Sequence, residues 1–337
     1  MVYSQQTGWF YGGDRAREKV EDYTLGFYQA LVEARIPFEM VHDQLLDAAH
    51  VDQFKTLILP NIAAMSDEQC EQLRGYVKRG GSLVATYETS LYDQWGAKRK
   101  DFGLADVFGV AFKGRGEGPM HNSYLRLEKD PATGKFHPLL AGLEDATRII
   151  NGVRRLEVEA REPFQHPPLT LIPSYPDLPM EKVYPRVQQT NIPEVYMREI
   201  GQSRVVFFPW DIDRTFWEVL YVDHGKLLRN AVLWATNEEQ PVQVTGPGVL
   251  DVTAWRQQKF LSVHLVNLTN PMMMKGPIRE LIPVGAQKIR VRLPEGTHAK
   301  QAHLLVAEQS LPVAEEGEYL TATVPSILDH EIVAIDL

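Results

Sequence analysis

Residues 80–86 read Gly-Gly-Ser-Leu-Val-Ala-Thr, an apolar run of strand length set directly behind a stretch with helical spacing. Without alternation, Ser82 to Thr86 suit a strand covered on both faces, which is the parallel strand of an α/β layer rather than a half-wet antiparallel one. Gly80 and Gly81 end the helix in front of it. That helix opens at Ser66, a cap with Glu68 and Gln69 behind it, runs to Arg79, and turns Cys70, Leu73 and Val77 inward. Open α/β sheets place their ligands at the carboxyl ends of such strands. Here that end runs into Tyr87-Glu88-Thr89-Ser90-Leu91-Tyr92-Asp93.

The same alternation fills the first hundred residues. Val2 to Gln5 read as a first strand, Phe38 to Val41 as a second, and Thr56 to Leu59, before Pro60, as a third. Between the first two, Tyr23, Phe27, Leu31 and Ala34 recur at helical spacing, so the spacing predicts a helix over Val20 to Arg35, stopped by Pro37. A short helix is expected within 102–110. From 111 to 200 the character changes to frequent Pro and Gly with short alternating runs such as Ser123 to Leu127 and Arg155 to Val158, expected as hairpins. Arg204 to Phe208 and Leu227 to Thr236 then supply one more buried strand and a last helix. Past Asn237 the pattern is strands at short intervals, at 249–254, 260–265, 288–293, 303–306, 319–324 and 331–337, which indicates a small antiparallel sandwich. The expected organisation is an α/β domain over 1–240, carrying a β-rich insertion at about 111–200, and a β-sandwich over 241–337.

Composition narrows the function classes. A net charge of −9 with no basic stripe argues against nucleic acid or an anionic membrane as partner, and Lys98-Arg99-Lys100 reads as a solvated loop. No apolar run approaches the ~20 residues that span a bilayer. One cysteine, Cys70, rules out an internal disulfide and fits a reducing compartment, so a cytoplasmic location is expected. Met1 leads at once into a strand, with neither a basic region nor an apolar signal segment. A start inside an element suggests that a further domain precedes this chain.

Several residues carry a resemblance. Tyr3-Ser4-Gln5-Gln6-Thr7 with Tyr11-Gly12-Gly13-Asp14, the 80–86 strand with its Tyr-Glu-Thr-Ser loop, and Gly103-Leu104-Ala105-Asp106 with Phe108-Gly109-Val110 resemble the trimerisation domain of family-42-type β-galactosidases and related, partly α-fucosidase-like glycosyl hydrolases. His264 to Pro271 and His330 to Ala334 are similar to the sandwich that follows that domain. The resemblance implies a flavodoxin-like sheet of the class I glutamine amidotransferase type. It also implies a homotrimer, and a catalytic TIM barrel for which this chain has neither the pattern nor the length. By the same resemblance the 87–95 loop and Trp210 help to wall a carbohydrate site in an adjacent subunit. Amidotransferases place a nucleophilic cysteine in the turn after such a strand; here the turn holds Tyr87, Glu88 and Thr89, and Cys70 lies elsewhere as a packed core residue.

Two carboxylate pairs stand where chemistry is expected. Glu88 with Asp93, and Asp211 with Asp213, follow sheet strands and are candidates to share one crevice as a glycosidase pair. The plainer reading has the first pair ordering its loop at an interface and the second capping the turn before Thr215. Aromatic residues gather in the same loops: Trp9, Phe10 and Tyr11, Tyr92 and Trp95, then Trp210, Phe216 and Trp217. Aromatic faces anchor interfaces and stack on sugars. Trp9, Tyr11, Glu88, Tyr92, Asp93, Trp95, Trp210 and Asp211 are therefore contact candidates, with no catalytic residue, metal or cofactor assigned. Ser90 lacks a Gly-x-Ser-x-Gly elbow. His42 and His121 read as local hydrogen-bonding groups, Gly114 to Gly118 as a flexible turn, Asn267-Leu268-Thr269 as a chance sequon, and Met272 to Met274 as apolar packing. The function expected is a non-catalytic oligomerisation and accessory region of a glycoside hydrolase. The alternative is a stand-alone carbohydrate-binding or carbohydrate-processing protein with a crevice near Glu88, Tyr92 and Trp210.

Overall fold

The computed structural model describes residues 1–164, 166–257, 259–269 and 278–337. The chain divides into two compact units. One comprises Met1–Ala30 with Glu39–Asn237, the other Leu31–Phe38 with Glu238–Leu337.

The first unit opens with β1 (Val2–Tyr3), α1 (Asp22–Glu33), β2 (Val41–His42), α2 (Ala48–Val51), β3 (Thr56–Leu59), α3 (Asp67–Lys78), β4 (Ser82–Thr86) and α4 (Ala105–Phe108). Helix α3 carries a full capping box. The Ser66 hydroxyl accepts from the Gln69 amide at 3.1 Å, and the Gln69 side chain accepts from the Ser66 amide at 2.8 Å, so two otherwise orphaned donors are satisfied. Helix α1 is shorter than its apolar spacing predicts. Arg17–Glu21 form a wider, π-type turn ahead of it, and Arg35, with φ at 55°, ends the helical path behind it.

The insertion follows as β5 (Val110–Glu117), β6 (Tyr124–Leu127), β7 (Arg148–Ile150), β8 (Arg155–Ala160) and β9 (Leu169–Ile172). β5 pairs with β8, and β6 sits between β7 and β9, all antiparallel. Gly114 to Gly118, expected as a turn, lie mostly within β5, where an irregularity between Phe112 and Gly116 accommodates the glycines. β10 (Tyr196–Ile200), β11 (Ser203–Phe208), α5 (Ile212–Val219) and α6 (Val222–Thr236) complete the unit. α5 is absent from the apolar spacing of the sequence, and α6 starts earlier than expected. Leu220, in left-handed backbone with φ at 50°, separates the two helices.

β3, β4 and β11 run parallel with β4 in the middle, and β10 closes the edge antiparallel to β11. β1 and β2 pair in parallel. All five residues of β4 are buried, as its unbroken apolar run requires. Phe207 of β11 stacks on Phe108 at 4.6 Å between ring centres and meets Phe102 edge-on at 5.3 Å. Each fully buried side chain of this kind contributes about 1.5–3 kcal/mol.

The second unit holds nine antiparallel strands among its described residues: β12 (Val242–Thr245), β13 (Leu250–Arg256), β14 (Phe260–Asn267), β15 (Gln287–Arg292), β16 (Gln301–Leu304), β17 (Gln309–Leu311), β18 (Val313–Glu316), β19 (Tyr319–Val324) and β20 (His330–Asp336). They form two sheets, in the orders β12-β15-β19-β18 and β13-β14-β20-β16-β17. Val263, Leu265, Val333 and Ile335 from one sheet and Ile289, Val291, Leu320 and Val324 from the other share a core, in the period-two pattern that the sequence displays. Arg35, in the short segment grouped with this unit, donates to the carbonyls of Gly246, Pro247 and Gly248 at 2.7–3.0 Å and to the Gln287 side chain at 2.9 Å.

Candidate functional site

At the carboxyl end of β4 the chain turns sharply. Tyr87 is left-handed, with φ at 49°, and Ser90 is left-handed too, with φ at 65°. Non-glycine residues hold that conformation only where their surroundings fix it. The Tyr87 amide donates to the Phe208 carbonyl at 2.8 Å, the Ser90 amide donates to the Ile62 carbonyl at 2.9 Å, and the Tyr87 ring stacks on Tyr23 at 5.9 Å. The turn is thus a sharp elbow that begins at the buried side chain of Tyr87.

Glu88, next in line, is almost enclosed. Its Oε2 accepts from the Tyr11 hydroxyl at 2.5 Å and its Oε1 from the Tyr92 hydroxyl at 3.2 Å, while its amide donates to Asn61 Oδ1 at 3.1 Å. The Tyr11 and Tyr92 rings lie 4.9 Å apart, and Lys98 Nζ stands 3.9 Å from Oε1. Burial, reinforced by the Glu88 charge, holds the Tyr11 hydroxyl well above its ordinary value, and the same two causes act on Tyr92. Both phenols therefore stay protonated as donors. The arrangement clamps the carboxylate and, through Tyr11, ties residues 7–12 to the elbow. Asp93 acts within its own loop, where its carboxylate accepts from the amides of Trp95 and Ala97, each at 2.9 Å, and closes the 93–97 turn.

Trp9 and Trp95 are each 68% exposed, and Phe10, 45% exposed, meets Trp95 edge-on at 5.3 Å. Trp210 and Asp211 lie elsewhere. Both are fully buried, which corrects the expectation that they present a contact surface. The indole Nε1 of Trp210 donates to the Glu194 carbonyl at 2.8 Å, since a buried indole must find an acceptor. Phe216 is buried as well, and Trp217 is half-buried. An open crevice formed by Glu88, Tyr92 and Trp210 is therefore not present in the first unit.

Asp211 and Asp213 are interior groups at the start of α5. Asp211 Oδ1 accepts from the Arg154 amide at 2.9 Å and the Thr215 hydroxyl at 3.2 Å; Asp211 stands at the N-cap of α5 but its side chain caps none of the helix amides, which corrects the expected capping role. Asp213 Oδ2 lies 2.7 Å from the Thr86 hydroxyl, which itself accepts from the Asn61 amide at 2.9 Å. A polar chain thus runs from Glu88 through Asn61 and Thr86 to Asp213. Burial pushes Asp213 up to about 8 and raises Asp211 as well. A shared glycosidase crevice needs both pairs open to a sugar. The complete burial of Asp211 and Asp213 excludes it.

Two buried groups had no signal in the sequence. Arg155 Nη2 pairs with Glu194 Oε1 at 2.7 Å, inside the insertion, and burial outweighs that partner to push Glu194 up to about 7. His224, packed edge-on against Trp210 at 5.3 Å, places Nε2 2.8 Å from the Ile150 carbonyl, and burial pushes it down to about 4. Neither pairing follows a short spacing or a helical period, which are the regularities a single sequence displays.

Cys70 is buried in the core, and desolvation pushes its thiol up to about 11, the environment of an inert cysteine. His42 makes local bonds, accepting from the Gln44 amide at 3.1 Å, and His121 is exposed. Arg99 of the basic run is committed, donating to the Met65 carbonyl at 2.9 Å and pairing with Asp67 at 2.7 Å. Asn267 is buried with its amide donating to the carbonyls of Ile282 and Leu328, each at 2.8 Å, so it presents no acceptor for a glycan. Met272 to Met274 lie outside the described residues. Among the described residues no group of three His, Cys, Asp or Glu gathers in a metal-binding arrangement, and no helix is long and apolar enough to cross a membrane.

Comparison with known proteins bears out the resemblance. Residues 1–112 match the family model of the β-galactosidase trimerisation domain. A search of curated proteins finds no match. Among solved structures, the α-L-fucosidase isoenzyme 2 from Paenibacillus thiaminolyticus aligns with a TM-score of 0.71 at 18% identity, over 99% of this chain and 48% of that one. The β-galactosidase from Bacillus circulans sp. alkalophilus aligns at 0.62 and 13%, over 94% and 37%. The cold-adapted β-galactosidase from Rahnella sp. R3 aligns at 0.59 and 12%, over 94% and 36%. The chain spans less than half the length of each of these enzymes, shares the mixed α/β and β fold of the part it covers, and over residues 1–112 carries the sequence pattern of a β-galactosidase trimerisation domain.

Proposed function

We propose that this chain is a non-catalytic oligomerisation and accessory region of a glycoside hydrolase, assembling as a homotrimer and shaping a carbohydrate site whose two carboxylates come from a TIM barrel outside it. One observation carries the reading. The trimerisation match over residues 1–112 contains the elbow, the clamped Glu88 and the exposed aromatic side chains of Trp9, Phe10 and Trp95. The place of a nucleophile is filled by a packed tyrosine, and Glu88 is engaged by two phenols. A carboxylate held this way suits a structural or wall-forming role better than proton transfer to a substrate.

The finer fold reading is flavodoxin-like and amidotransferase-like. It is supported by parallel pairing of β2 with β1 and of β3, β4 and β11 in turn, with β1 also lying near β3; that order is the doubly wound 2-1-3-4-5 arrangement. Trp9, Tyr11, Glu88, Tyr92, Asp93 and Trp95 form the contact loops, and Trp210 and Asp211 are interior residues with no part in them. The α/β domain extends to about residue 240, and the sandwich follows. A net charge of −9 supports the exclusion of nucleic acid and anionic membranes, and a single buried thiol supports a reducing, cytoplasmic setting.

Hydrolysis of aryl β-galactosides and aryl α-fucosides by the purified chain tests the non-catalytic claim. The expected result is release at the rate of a buffer blank. Turnover that is abolished by Glu88→Gln would overturn it.

A further inference from the structure

In the β-rich insertion a buried charge pair meets an opening to solvent. A pocket of about 870 Å³ lies beside β5 and β8, and Arg155, only 4% exposed, forms part of its wall. Nε and Nη2 of Arg155 both stand 2.7 Å from Glu194 Oε1, and Nη1 stands 3.3 Å from Glu117 Oε2. A guanidinium fork ordinarily spreads over both oxygens of its carboxylate. Here both contacts fall on one oxygen, and Glu194 Oε2, fully buried, has no hydrogen-bond partner among the described residues. A buried acceptor left unmatched is costly, so this oxygen calls for a donor from outside the protein. Pro193 before Glu194 and Tyr196 after it line the same pocket. The Glu194 backbone is also pinned on both sides: its amide donates to the Leu169 carbonyl at 3.0 Å, and its carbonyl accepts from Trp210 Nε1 at 2.8 Å. The pair is therefore ordered before any ligand arrives, which lowers the entropic cost of binding.

Charge and shape set the chemistry of the occupant. Among the described residues, the four lysine and arginine side chains of the lining are matched by four glutamates. The pairs made by β5 with β8 neutralise one another, Lys113 with Glu159 and Arg115 with Glu157, each at 2.6 Å. A charged ligand would have to break such pairs or stay without a counter-ion, so a neutral one is favoured. Phe164, Pro173, Ile192 and Pro193 add apolar surface to the lining, suited to C–H groups. The pocket thus asks for a neutral ring with an apolar face and hydroxyl groups, because a hydroxyl both donates to a carboxylate and accepts from a guanidinium.

We propose that this pocket of the insertion binds a neutral saccharide, with Arg155 and Glu194 as its hydrogen-bonding pair and Ile192 and Pro193 against the ring. The site goes beyond the accessory role above, since it draws on no residue outside this chain. Saturation-transfer NMR of the purified chain tests it, with D-galactose and lactose as neutral probes and D-glucuronate as the anionic one, each titrated through the millimolar range. The same titrations are run on Ile192→Asp, at a residue 42% exposed, on Glu194→Gln, and on Trp255→Ala, a control 63% exposed on the second unit. Far-UV circular dichroism checks each fold, and Ile192→Asp decides alone if Glu194→Gln does not fold. Wild type and Trp255→Ala should transfer saturation to a neutral probe with equal affinity, and both pocket variants should bind it about tenfold more weakly or worse. No transfer to either neutral probe, Ile192→Asp binding as tightly as the wild type, or tighter binding of glucuronate would each overturn the proposal and leave the oligomerisation reading untouched.

Discussion

His224 and Asp213 are buried side chains whose environments favour the uncharged form, and they make opposite demands on pH. The unfolded chain protonates His224 near its ordinary 6.5, whereas the folded chain resists until about 4. Protons then bind preferentially to the unfolded state, so stability contributed at this position is intact above 6.5 and falls as pH drops towards 4, by roughly 3 kcal/mol in all. Asp213 acts in the other direction. Its folded value of about 8 lies above the ordinary 3.8, so stability is full below 3.8 and is lost as pH rises through 8. From these two groups, urea midpoints should stay level between pH 4 and 6.5, where the opposite effects offset, and fall from 6.5 to 8. Asp213→Asn should remove the fall above 6.5 and expose a loss towards pH 4, His224→Gln should extend the fall down to pH 4, and an unchanged profile in either variant would contradict the assignment.

Residue-scale legibility was uneven for a physical reason. Cys70 and the Ser66 cap act through neighbours within a helical turn, so their roles are written locally. Tyr11 with Glu88, and Arg155 with Glu194, are pairs brought together by the fold across distant positions. Trp210 shows the opposite error: a large aromatic beside a loop has the same residue signature whether it faces solvent or the core.

At the scale of elements, fully apolar runs such as Ser82 to Thr86 were legible because burial on both faces leaves no alternation to misread. α5 was not, because it is only eight residues long and its one buried apolar pair at helical spacing, Ile212 and Phe216, is interleaved with the buried polar Asp213 and Thr215. Its packing against α1 gives a sharp prediction. A Cβ on Gly26 would stand 1.9 Å from the Asp213 carbonyl oxygen, a backbone atom that cannot rotate away. Gly26→Ala should therefore force α1 and α5 apart and destabilise the first unit by at least the ~1–3 kcal/mol typical of overpacking, despite alanine's better helix propensity. Chemical denaturation reads this directly, and a variant as stable as the wild type would refute the close packing.

For the whole molecule, the alternation of the first hundred residues and the regular strands after Asn237 foretold the mixed α/β character and the β-rich end. The grouping of Leu31–Phe38 with the second unit was not legible, since Arg35 finds its carbonyl partners more than two hundred residues away. The proposed assembly role draws on the trimerisation match over residues 1–112, the phenol-clamped carboxylate and the exposed side chains of Trp9, Phe10 and Trp95. The mass of the purified chain in solution tests that claim most directly. Sedimentation equilibrium should return three times 38.3 kDa across the accessible concentration range, and a mass of one chain throughout would contradict the account.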